Sequence, residues 1–124
     1  MTQEEKQLLL QDICARLLYG VIIYRISDNS THKFTCSDIA ENIDMLSHFL
    51  ECSEIYDIKP YLRPMSSMTE IEYMKLKAAY DNGSNGLFDE YSHIDWLNAH
   101  HFDYRGLIEK GLAIEAPKEM YKNY

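Results

Sequence analysis

The sequence predicts an α+β domain: an N-terminal helix, a small antiparallel β-meander, and two to three C-terminal helices. Three observations carry that expectation. Apolar residues step by four through Leu9, Ile13 and Leu17. A β-branched run, Val21 to Ile26, is followed by turn residues and an alternating segment. Two capping signatures in the second half each precede a helical pattern. At 124 residues the chain has the length of one domain. Residues 1–117 are expected to form it, with 118–124 as a loose C-terminal tail.

The first helix starts at a capping box, because Thr2 and Glu5 have the spacing at which each side chain satisfies the other's backbone amide. Leu10 and Cys14 flank the apolar stripe, with Cys14 read as a small buried residue. Glu4, Lys6, Gln7 and Asp12 fall largely away from it, and Gly20 is the stop. In the hairpin that follows, "SDNST" supplies turn chemistry, and His32, Phe34 and Cys36 alternate with Lys33, Thr35 and Ser37. Residues 38–58 carry two patterns. Ile39, Ile43, Leu46 and Leu50 have helical spacing, whereas "SEIYDIKP" reads as a strand closed by Pro60. Pro60 and Pro64 then bracket an extended connector. Thr69 with Glu72 opens a second helix carrying Ile71, Met74, Leu76 and Ala78, which "DNGSNG" ends. Ser92 with Asp95 opens a third, with Ile94, Leu97 and His101 along one side. Asp103 is placed to cap a short fourth, Tyr104 to Lys110, ended by Gly111, and "LAIEAP" is strand-like up to Pro117.

Composition restricts the function classes. The net charge is −8, and no Lys or Arg occurs between Lys33 and Lys59 or between Lys77 and Arg105. Nucleic acid is therefore a disfavoured partner, since phosphate binding relies on basic side chains. The same acidic stretches fit a solvated surface or a surface for a basic protein. Three widely spaced cysteines without a CxxC fit reduced thiols. No apolar run is long enough for a membrane span, and the acidic start does not read as a signal peptide. The expected location is cytoplasmic.

Three segments, "MTQEEKQLLLQDICARLLYGV", "IKPYLRPMSSMTE" and "HHFDYRGLIEKGLAIEAP", resemble a family of small proteins encoded by Bacteroides-type gut bacteria and their phages and prophages. Together they cover 52 of the 124 residues. The resemblance implies a mobile-element setting and no particular activity. It also favours strands and turns over residues 38–58, despite the helical spacing of "IDMLSHFL".

The densest chemistry lies in "WLNAHHFDYRG", residues 96–106. On a helix His93 and His100 share a face, and with Asp103 they offer three ligands to a metal. Asp103 beside His101 is also the pairing that acid–base catalysis needs, although no nucleophile motif accompanies it. The packing alternative needs no ligand: Trp96, Phe102 and Tyr104 fill a core, Asp103 caps a helix, Arg105 pairs with a carboxylate, and Gly106 lets two backbones approach. Asn98, Tyr104, Arg105, Tyr61 and Arg63 complete the candidate ligand or partner surface, the last two on an extended Pro-bounded segment that suits a partner groove. A winged-helix reading of 93–116 offers only Arg105 and Lys110 to DNA. The leading expectation is a non-enzymatic accessory protein that binds a host or phage protein through an acidic, tyrosine-bearing surface, without a cofactor. The alternatives are a small histidine-based or metal-dependent enzyme, and a nucleic-acid binder.

Overall fold

The computed structural model describes residues 2–35, 57–82 and 90–121, with the backbone alone for 79–82 and 90–92. The ambiguous segment 38–58 lies outside them except for its last two residues. The elements are α1 (Gln3–Arg16), β1 (Val21–Arg25), β2 (Ser30–Phe34), β3 (Ile58–Leu62), α2 (Glu70–Asn82), α3 (Glu90–Ala99) and β4 (Ile114–Glu115). This is the α+β arrangement expected, with one helix ahead of the sheet and two described helices behind it.

The capping box at Thr2 and Glu5 forms in full. A short 3-10 turn, Leu17–Tyr19, follows α1 and closes on Gly20, which has φ +74. A Cβ built there would lie 2.6 Å from the Lys33 side chain, so glycine suits both the backbone angle and the space. Leu9 and Ile13 are buried, as the four-residue step predicts, but Cys14 is exposed. The polar side of the helix departs from expectation: Asp12 and Arg16 are fully buried.

β1 and β2 form the expected hairpin, with Val21 opposite Phe34 and Arg25 opposite Ser30. Its turn places Asn29 at φ +54, and the Asp28 carboxylate accepts from the Ser30 amide. The sheet order is β2-β1-β3-β4, so β3 returns beside β1 rather than β2. The β1–β2 and β1–β3 pairings are antiparallel, and the two-residue β4 runs parallel to β3. Pro60 does not close β3. It sits mid-strand opposite Ile23, with Ile58, Pro60 and Leu62 all buried on one face. The Ile26 amide donates to Asp57, which makes 26/57 a bonded pair and 23/60 a non-bonded one. The missing N–H of Pro60 therefore costs the β1 ladder nothing.

One core cluster joins Leu9 and Ile13 of α1 to Val21, Ile23, Phe34, Ile58, Leu62, Leu107 and Leu112. A second joins Leu76 of α2, Leu97 of α3 and Phe102, with Trp96 and Tyr104 packed on it. Residues 107–110 form hydrogen-bonded turns in place of the fourth helix. The expectation of a loose tail fails at Tyr121, which is buried. Among the described residues no helix is long and apolar enough to cross a membrane.

Candidate functional site

The 96–106 segment is where α1, β3 and α3 meet. α3 ends at Ala99, one residue before His100.

 The last helical residue is Ala99. His101 follows at φ +60, so it lies outside the helix rather than along its Ile94–Leu97 side. The His101 amide donates to Asn98 and the Phe102 amide to Leu97. That pair of bonds is the left-handed closure of a helix C-terminus, with histidine at the position glycine usually takes. Leu97 and Phe102, the two ends of the bond that spans more residues, pack in one cluster.

The reversal sends residues 101–103 alongside β3. The Arg63 amide donates to His101 and the Asp103 amide to Arg63, both at 2.8 Å. Residues 59, 61 and 63 direct their backbone groups to one edge of β3. β1 occupies that edge as far as Pro60. The 101–103 segment takes it at Arg63. Between them, at Tyr61, the Tyr121 hydroxyl fills the gap: it accepts from the Ile22 amide at 2.9 Å and donates to the Tyr61 carbonyl at 2.8 Å. The Tyr121 ring stacks on His101 with centroids 3.9 Å apart.

Beneath the corner lies an ion cluster. The Arg16 guanidinium donates to both carboxylate oxygens of Asp12, at 2.9 and 3.0 Å, and to the Phe102 carbonyl at 2.6 Å. Arg105 adds a third bond to Asp12 at 2.8 Å. Arg16 and Arg105 also face the Tyr104 ring. Asp103 does not pair with His101. Its two oxygens accept from the Leu107 and Ile108 amides and cap the turns that follow. The Tyr104 hydroxyl donates to Asn98. Gly106 has φ +74 with open space around it, so backbone angle rather than close approach explains it.

His100 and His101 are in settings that disfavour charge. His101 is fully buried, and burial, reinforced by Arg16, lowers its pKa to about 3. His100 stacks on Trp96 with centroids 4.0 Å apart, and burial lowers its pKa too. His93 lies on α3, half-buried. Among the described residues no group of three or more His, Cys, Asp or Glu side chains is placed to hold a metal, so His93, His100 and Asp103 do not form the ligand trio.

The "KPYLRP" connector is tied down in the same way. Arg63 makes a bidentate pair with Glu72, at 2.6 and 2.7 Å, and its guanidinium lies 4.1 Å from the Phe102 ring centroid. The same Glu72 closes the expected capping box with Thr69. Arg63 holds its carboxyl down to about 2. Tyr61 is half-buried, edge-on to Tyr24. Neither Tyr61 nor Arg63 is thus the freely exposed side chain that groove docking requires. A cleft of about 530 Å³ opens beside Arg63 and Thr69, with Glu115 and Lys118 of opposite charge on its wall.

Among the described residues, the most exposed apolar side chains of the second half lie elsewhere, on α2. Ile71 and Met74 are 67% and 65% exposed, and Tyr73 is 59% exposed. The sequence pattern grouped Ile71 and Met74 with Leu76 as one helical set. Leu76 alone of these is buried, because it points to the opposite side of the helix. Sequence reasoning also missed Asp12, Arg16 and Tyr121. Asp12 and Arg16 did carry a signal, the four-residue spacing of an ion pair on one helix face. No family model, curated protein or solved structure matches the chain.

Proposed function

We propose that this protein acts by binding another protein, without catalysis, through the outward face of α2. The carrying observation is the contrast between that face and the 96–106 corner. At the corner Asn98, Asp103, Tyr104 and Arg105 each have a hydrogen-bond partner within the chain. On α2, Ile71 and Met74 stand in solvent on one face. Two large apolar side chains exposed together on one helix face suit a protein interface. Exposed Asp95 on the adjoining α3 contributes to the acidic surface expected from the sequence. In the setting that the family resemblance implies, the partner is a host or phage protein and the chain is an accessory of a mobile element.

The test is capture from the native host, infected and uninfected, with tagged wild-type protein and a Met74→Glu variant. A stoichiometric protein retained by the wild type and lost from the variant supports the reading. Equal retention by both contradicts it, as does an eluate of bait alone from a chain that stays monomeric in solution. Asp95→Lys and raised salt should each slow association with that partner.

A further inference from the structure

The α2 face has a charge pattern that complements itself. Opposite the buried Leu76, the helix presents Ile71, Met74 and Ala78, all exposed. Glu70 and Lys77, also exposed, are seven residues apart, close to two full turns, so they lie on one flank of that stripe. We propose that this face pairs with the same face of a second copy, antiparallel, about a two-fold axis. The pairing rests on the reading of α2 as the docking surface and names its occupant.

The geometry of a two-fold antiparallel pair brings each flank against its own counterpart with the order reversed. Glu70 then meets Lys77 of the second copy, and the contact occurs twice. Ile71 falls between Met74 and Ala78 of the second copy, where the small alanine permits close packing. A parallel pair would instead set this flank against the opposite flank of the second copy, so that Glu70 and Lys77 would not meet. Glu72 takes no part, because Arg63 of its own chain holds it. One short helix per copy covers less than the roughly 1,200 Å² of a stable interface, so the dimer is weak and concentration-dependent.

Sedimentation of the full chain at low salt, from micromolar to millimolar concentration, tests the pairing. The average mass should rise towards twice that of the chain. Met74→Glu should remain monomeric throughout. Glu70→Lys and Lys77→Glu should each weaken association about tenfold or more, and the double swap should restore it. The double swap carries the same helix-terminus change as Glu70→Lys, so its recovery isolates the contact between copies. A chain monomeric at every concentration overturns the pairing, as does association that survives Met74→Glu or a double swap that fails to recover. A monomer that still captures a different protein, lost on Met74→Glu, overturns self-pairing and leaves the docking reading intact.

Discussion

Asp12 and Arg16 show how far a buried charge depends on its partner. Both are fully buried, and Arg16 is held by Asp12 and by the Phe102 carbonyl. Asp12→Ala leaves Arg16 buried without its counter-charge and should cost about 3–5 kcal/mol in urea unfolding. Arg105→Ala should cost less than half as much, because Asp12 keeps Arg16. The double variant Asp12→Leu/Arg16→Met should lose less than Asp12→Ala, since no charge is stranded. A double variant worse than the single would contradict this account of the cluster. His101 makes a prediction about acid. Its pKa of about 3 lies below the ordinary 6.5, so below pH 6.5 the unfolded chain binds a proton that the folded chain does not. Stability therefore falls as pH falls from 6.5 towards 3, by about 1.4 kcal/mol per pH unit from this group. Glu72, lowered from 4.5 to about 2, acts in the same direction at the acid end of that window. His101→Asn keeps a residue tolerant of the left-handed angle and should flatten the slope between pH 6.5 and 4.5. An unchanged slope would place the titration elsewhere.

The elements with a local cause were legible. The Thr2–Glu5 and Thr69–Glu72 boxes, the hairpin turn and the alternation of β1 all depend on residues close in sequence. The elements set by distant contacts were not. Pro60 reads as a strand end, yet the register gives its missing N–H to an edge where the ladder does not need it. Residues 104–110 read as a helix, but Asp103 closes them as turns. The tail reads as loose because nothing near Tyr121 marks it, whereas its hydroxyl joins β1 to β3 ninety-nine and sixty residues away. Tyr121→Phe should therefore cost about 1–3 kcal/mol, the penalty for leaving the Ile22 amide and the Tyr61 carbonyl without that bridge. Removal of residues 118–124 should cost more, because the His101 stack goes with it. A truncated chain that melts with the wild type would show the tail to be loose after all.

For the molecule as a whole, the 96–106 corner reads one way along the chain and another in space. Histidines, Asp103 and Arg105 look like a site when read as neighbours in the chain. In three dimensions they join three elements: α1 through Arg16 and Arg105, β3 through Arg63, and the tail through His101. The face proposed for docking was hidden for the converse reason. Ile71 and Met74 look like core until Leu76 is seen to face inward from the other side of α2. The most direct measurement is the affinity of the captured partner, a second copy included, for wild-type protein, Met74→Glu and His100→Gln. Met74→Glu should bind at least about tenfold more weakly, a loss of about 1.4 kcal/mol, and His100→Gln should bind within about twofold of wild type. Binding that ignores Met74 and fails with His100→Gln would return the function to the histidine corner and contradict the account.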